Sequence, residues 1–355
     1  MPRSTPISPN RSRLRTKAMG SLKQQMGAVI TAPLGWLAGL IDPPLRFWQR
    51  WTGQGGMAAF FLLPNMAIFG IFVLLPLVIN IIYSMTSGSA LFLADRDYVG
   101  GAQYARLLDC GNYGDPSTCK EDQFWTAVQN TGLFVILQVT LLIVIATITA
   151  LILNRELKAR SFWRAVFFFP VLLSPVVVGL IWRWILQRDG VLNAAMLGMG
   201  LDPVNWLIER NWAFAAAIGV TIWAHMGFYA LILLAGLQAI PKDLYEAAEM
   251  DGTKPGRVFW RITLPLLMPN LLVVIVLSLI RAVQVFDEAF VLTGGGPGTA
   301  TLFLTQYIYE VGFASLLKNL GLASAASILM GGVLVLLTLL QLALGKRNEK
   351  RGKLK

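Results

Sequence analysis

The sequence is poor in the residues on which most enzyme chemistry depends. Its 355 residues include one histidine, His225, and two cysteines, Cys110 and Cys119. The cysteines make no CxxC pair and have no histidine beside them, so no metal site is expected. Neither HExxH nor GxSxG occurs, which removes the working parts of a zinc or serine hydrolase. A phosphate-binding loop of the form GxxxxGK[ST] is also missing. The one glycine-rich stretch, TGGGPGTAT at 293–301, has neither that lysine nor a preceding strand, and reads as a re-entrant turn. Charge is scarce as well: Asp, Glu, Lys and Arg make up 14% of the chain against 55% hydrophobic residues. The mean hydropathy of +0.61 lies outside the range of a water-soluble domain. The bilayer is the expected solvent.

What the sequence has instead is six long apolar runs, 57–85, 123–153, 165–186, 211–240, 262–286 and 319–345. Each can cross roughly 30 Å of hydrocarbon at about 1.5 Å per residue. Pro64 and Pro76 are expected to kink the first. The third carries Pro170, Pro175 and, near its end, Arg183, expected to snorkel to the headgroups. Residues 1–23 are basic and rich in Ser and Pro, a disordered tail suited to an anionic membrane surface. No cleavable apolar core follows closely, so a secretory signal is not expected. The short stretch 26–41, broken by Pro33, Gly35 and Gly39, reads with 45–51 as an interfacial segment; a seventh span is the alternative.

Charge orients these runs. With the N-terminus inside, the segments 1–56, 154–164, 240–265 and 346–355 carry 22 of the 30 basic residues, and 86–122, 188–210 and 287–318 carry six. Lys and Arg gather on the cytoplasmic side, so both termini are expected there. The same distribution explains the net charge of +11 without nucleic acid. Cys110 and Cys119 then lie in an outer loop. Both a disulfide and two free thiols fit the sequence, and an oxidising side favours the bridge. The stretch 189–210, ending in NWLIERN, is expected to hold a short amphipathic helix on the outer surface.

Within the inner segment 240–265, residues 246–265 are the most charged stretch between two long apolar runs, and they read as two short helices with a turn on the cytoplasmic side. Asp243 is expected to cap the first, and Gly252 to stop it in a left-handed conformation. Thr253 is expected to cap the second, with Pro255 in its first turn and Pro265 closing it.

Polar residues within spans are costly unless they face a cavity or a partner. Thr221, His225 and Phe228 share one face of the fourth run, and Ser278, Arg281 and Val285 one face of the fifth. His225 reads either as a hydrogen-bonded packing residue or as a solute ligand. Arg281 either pairs with Asp287 or Glu288, taken to mark the outer end of its span, or offers its charge to a solute.

These residues resemble the inner-membrane permease subunits of binding-protein-dependent ABC importers, carbohydrate branch. The family's EAA loop is matched by Glu246, Ala247, Ala248, Asp251, Gly252, Phe259, Ile262, Leu264 and Pro265. FWTAVQNTGLF (124–134), RAVFFFPVLLSPVVVGLIWRW (164–184) and VFDEAFVLTGGGPGTAT (285–301) match as well. The resemblance covers about 57–345 and implies an all-α, polytopic fold of six transmembrane helices, the type I importer permease fold. The implied layout is a tail with interfacial segment at 1–56, a first span and outer loop at 57–122, a core at 123–345 holding the coupling loop 240–265, and a basic tail at 346–355. It implies a bacterial inner-membrane location, a second permease, two ATP-binding subunits and an extracytoplasmic solute-binding protein. ATP and Mg would belong to the ATPase partner and no cofactor to this chain. It further implies a solute path lined by Thr221, Ala224, His225 and Phe228, with Ser278, Arg281, Ala282 and Val285. Arg281 departs from the family, where a small residue is usual, and points to an anionic sugar derivative. The rival readings are an ion-coupled secondary transporter and a non-transporting membrane sensor.

Overall fold

The computed structural model describes residues 53, 55–56, 58–155, 158–316 and 318–352, those at 342 and 344–352 by backbone alone. The tail at 1–23 and the stretches 26–41 and 45–51 lie outside the described residues. Among the described residues there are helices and no strands. The chain divides into two compact units, Met1–Val78 and Ile79–Lys355.

Helix α1 (Ala58–Ser84) starts in the first unit. Its π-turn at Gly70–Leu74 lies just before Pro76. Proline has no N–H to give and its ring crowds the carbonyl four residues back, so the helix shifts to an i−5 bond, from the Leu75 N–H to the Gly70 carbonyl.

The second unit holds α2 (Ala102–Leu108), α3 (Asp122–Asn154), α4 (Arg160–Phe168), α5 (Pro175–Leu186), α6 (Val191–Gly198), α7 (Arg210–Gln238), α8 (Lys242–Met250), α9 (Pro255–Val283), α10 (Asp287–Thr293), α11 (Leu304–Tyr309) and α12 (Leu320–Gly352). Its core is the long pairing of α3 with α7. Leu142, Ala146, Ala150 and Leu153 recur on one face of α3, and Ala213, Ala217 and Ala224 on α7, all buried. Small residues let two backbones approach closely, the main source of packing energy between helices in lipid.

Helices α1, α3, α7, α9 and α12 are long and apolar enough to cross a membrane. The third expected span is instead broken. Arg160–Leu172 meets Pro175–Gly198 at 100°, because Ser174, forced extended ahead of Pro175 (ψ 138°), cannot continue the helix. Arg183 Nη1 donates to the Val291 carbonyl of α10 at 3.3 Å.

Other expectations need correction. The short helix expected within 189–210 is Val191–Gly198, whereas in NWLIERN residues 206–208 form a turn and Arg210 and Asn211 open α7. Buried Asn193 organises this stretch, donating to the carbonyls of Arg188 and Val204 and accepting from the Val204 N–H and Trp206 Nε1 at 2.9–3.1 Å. Neither Asp243 nor Thr253 caps a helix, since Pro241 and Lys254 hold those positions without a side-chain bond. Nor does Pro265 end anything. Helix α9 runs from 255 to 283, with a π-turn at Phe259–Thr263 ahead of that proline, as before Pro76.

Cys110 and Cys119 are joined by a disulfide (S–S 2.09 Å). The loop it closes and α2 before it are both bound to α3: Trp125 Nε1 donates to the Leu107 carbonyl of α2 at 2.8 Å, and Gln129 Nε2 to the loop carbonyls of Tyr113 and Gly114 at 3.1 Å. Beside it, burial and the Glu121 carboxylate push the Tyr307 phenol well above its ordinary pKa.

Candidate solute cavity and coupling loop

Three adjoining hollows share Tyr229 and Arg281. The first, about 530 Å³, is bounded by Phe228, Leu277, Gln284, Phe286, Asp287 and Glu288 among others. The second, about 250 Å³, is bounded by Pro170, Val178, Ala224, His225 and Phe228. The third is a narrow recess walled by Phe134, Gln138, Thr221, His225, Ala282, Val285 and Glu288. A volume of about 530 Å³ falls within the size range of small-molecule sites.

Helical periodicity sets the α7 wall. Thr221 spends its hydroxyl on its own helix, donating to the carbonyls of Ala217 and Ile218 at 2.9 Å. His225 Nδ1 lies 2.9 Å from the Thr221 carbonyl. A carbonyl only accepts, so Nδ1 is the donor in that bond. The same Nδ1 lies 3.9 Å from Glu288 Oε1.

Arg281, exposed on the cavity wall, has no hydrogen bond and no salt bridge among the described residues. Its expected pairing with Asp287 or Glu288 is not formed. Those two residues do not end the fifth span: α9 stops at Val283 and they open α10, with Glu288 only 8% exposed and turned to His225. Gly179 lets α10 lie close against α5, since a Cβ there would sit 3.0 Å from the Glu288 carbonyl oxygen.

Of the eight expected path residues, Thr221, Ala224, His225, Phe228, Arg281, Ala282 and Val285 line the hollows. Ser278 does not. It is buried, with its hydroxyl on the Ile275 carbonyl at 3.2 Å. Sequence reasoning missed Tyr229, Glu288 and above all Gln138, which is 5% exposed and whose Oε1 has no partner among the described residues. Its signal was present, because Thr131, Phe134 and Gln138 follow the same i, i+3, i+7 spacing.

The α8–α9 pair forms the second site. Gly252, at φ +66°, ends α8 in a Schellman motif: the Thr253 N–H donates to the Ala248 carbonyl and the Gly252 N–H to that of Glu249, both at 2.9 Å. Tyr245 and Thr263 hydroxyls, 3.2 Å apart, join the two helices. Glu246, Ala247, Asp251, Gly252 and Pro265 are exposed and Phe259 is half-buried. Ala248 is buried, so it packs this pair onto its own chain and does not face outward. Met250, unremarked in the sequence, is 89% exposed.

Residues 142–350, which contain the coupling loop and most of the cavity wall, match the binding-protein-dependent transport system inner membrane component family. The chain belongs to that family. It is a multi-pass permease, a translocation subunit and not an enzyme, and the ion-coupled and sensor readings are set aside. The permease is 33% identical over 298 residues to a sulfoquinovosyl glycerol transport system permease protein of Agrobacterium fabrum, covering 81% of this chain and 91% of that protein. It is 34% identical over 286 residues to a trehalose/maltose transport system permease protein of Thermococcus litoralis, covering 80% and 92%. Among solved structures it resembles a chain of a bacterial ABC transporter involved in the import of the acidic polysaccharide alginate. The TM-score there is 0.70 at 25% identity, over 85% of this chain and 99% of that one.

Proposed function

We propose that this permease carries an anionic sugar or sugar derivative across a bacterial inner membrane, with both termini in the cytoplasm. In this reading 123–345 is the transport core. It pairs with a second, similar permease and accepts solute from an extracytoplasmic binding protein. Two ATP-binding subunits engage the exposed Glu246, Ala247, Asp251 and Gly252, and ATP and Mg reside in them. Relatives named for carbohydrates and a structural neighbour that imports an acidic polysaccharide support the substrate class. The observation that carries it is Arg281, a guanidinium on the cavity wall with no anionic partner among the described residues. A carboxylate, sulfonate or phosphate meets such a fork with charge-assisted hydrogen bonds of about 1.5–3 kcal/mol each, or about 10- to 100-fold in affinity.

The test is ATP-dependent uptake by the reconstituted complex, with a panel of hexuronates, sulfonated hexoses and neutral hexoses. Arg281→Gly is expected to lower uptake of the preferred anionic sugar at least about tenfold and to leave neutral sugars unaffected. Equal uptake of the anionic sugar by both proteins refutes the assignment.

A further inference from the structure

Four basic residues fall within ten positions at the junction of α3 and α4: Arg155, Lys158, Arg160 and Arg164. Arg160 and Arg164, one helical turn apart, lean on the same neighbour. With its amide oxygen turned toward them, Gln238 at the end of α7 accepts from Arg160 Nη2 at 2.9 Å and from Arg164 Nη2 at 2.8 Å. The two Nη2 atoms are therefore no farther apart than the sum of two hydrogen bonds. Arg160 Nε donates to the Leu153 carbonyl at 2.8 Å. Both acceptors are neutral. Among the described residues no carboxylate lies in salt-bridge range of either guanidinium, and Arg164 Nε is buried without a partner. Two converging positive charges met, among the described residues, only by neutral oxygens make a site short of an anion.

The surroundings say which kind. Phe162, Trp163, Val166 and Phe169 are 60%, 44%, 44% and 57% exposed, so the limb that carries the arginines presents an apolar, aromatic surface outward. Aromatic and apolar groups flanking arginines are the composition of a helix at the headgroup boundary. A free anion has no use for such a collar, whereas a phospholipid fills both halves: phosphate on the guanidiniums, glycerol and acyl chains on the rings. We propose that Arg160 and Arg164 bind the phosphate of an anionic phospholipid, with Phe162 and Trp163 against its apolar part.

The test is thermal unfolding of the full chain in zwitterionic micelles with phosphatidylglycerol, phosphatidylcholine or inorganic phosphate added. Phosphatidylglycerol is expected to raise the midpoint, and the other two to leave it unchanged. Gln238→Glu puts a carboxylate between the arginines, so it is expected to raise the starting midpoint and lose at least about half of the phosphatidylglycerol response. The double variant Arg160→Gln/Arg164→Gln is expected to lose that response too, and where it fails to fold, Gln238→Glu decides. A full phosphatidylglycerol response in Gln238→Glu overturns the site. An equal shift from inorganic phosphate overturns the lipid as its occupant.

Discussion

Gly227 gives the sharpest check on how the cavity is built. It lies on α7 between two wall residues, His225 and Phe228, and is buried against the backbone of α4. A Cβ on it would stand 2.0 Å from the Phe167 carbonyl oxygen, 2.8 Å from its carbon and 3.0 Å from the Phe168 Cα. Ordinary contacts of this kind begin above roughly 3 Å, so Gly227→Ala must part the helices by about 1 Å. Overpacking costs about 1–3 kcal/mol, and with rigid backbone on both sides the upper end applies. Gly219 is the control: on the same helix, with nothing within 4 Å of the place a methyl would take. There Ala is expected to be neutral or to stabilise by up to about 1 kcal/mol through helix propensity. Equilibrium unfolding of the purified chain gives both numbers, and uptake should fall in the first variant alone, because parting α7 from α4 moves His225. A Gly227→Ala protein within about 0.5 kcal/mol of the parent refutes the close approach and the cavity shape that depends on it.

Gly252→Ala is expected to cost about 1–2 kcal/mol locally, since its φ is +66° but nothing crowds it; Gly252→Asn should cost less, and ATP-driven uptake should follow the same order. Gln138→Leu removes a buried acceptor without a partner among the described residues and is expected to stabilise the chain by about 1 kcal/mol while weakening solute affinity; a destabilised variant counts against an empty acceptor. Replacing Cys110 and Cys119 by Ser opens a loop of sequence separation 9, worth about 2.5–3 kcal/mol by chain entropy. Hydrogen exchange should rise across 102–121 and at the N-terminal turn of α3, and unchanged exchange would refute the role of the bridge.

Much of this could be read from the residues because hydropathy and helical period act locally. The runs 57–85, 123–153 and 211–240 lie within a few residues of α1, α3 and α7, and the α7 face needed only i, i+4, i+7 counting. The failures have tertiary causes. The 165–186 run is long and apolar enough for a span only as a bent pair, because the extended step before Pro175 breaks the helix. Ser278 has the right spacing and the wrong surroundings, since it is packed in the interior one turn before the exposed Arg281. Glu288 read as a span end because the break at 284–286 leaves no compositional mark. Ala248 looked like a docking residue beside Ala247, yet successive helical positions face about 100° apart, and only one of the two can point outward.

The largest correction, that α9 runs unbroken through Pro265, also bears on mechanism. One helix carries both the second half of the coupling loop and Arg281, and 257 and 281 are separated by roughly 36 Å of helical rise. Its soft points, the π-turn at Phe259–Thr263 and the prolines at 265 and 269, lie toward the loop end. Just past them Asn270 Nδ2 donates to the Ile232 carbonyl at 3.3 Å, and Gly236 comes so near that a Cβ would meet the Asn270 amide at 2.5 Å. In the proposed mechanism this contact, lying between the loop-end irregularities and the regular remainder of the helix, would serve α9 as a fulcrum on α7. In the proposed transporter, movement of the loop would tilt Arg281 about that contact. Gly236→Ala tests the lever: it should expel the Asn270 amide and lose its bond, at about 1 kcal/mol. The chain should stay folded and the complex should hydrolyse ATP, while uptake falls several-fold. Uptake and hydrolysis falling together would mean that the crossing is packing alone.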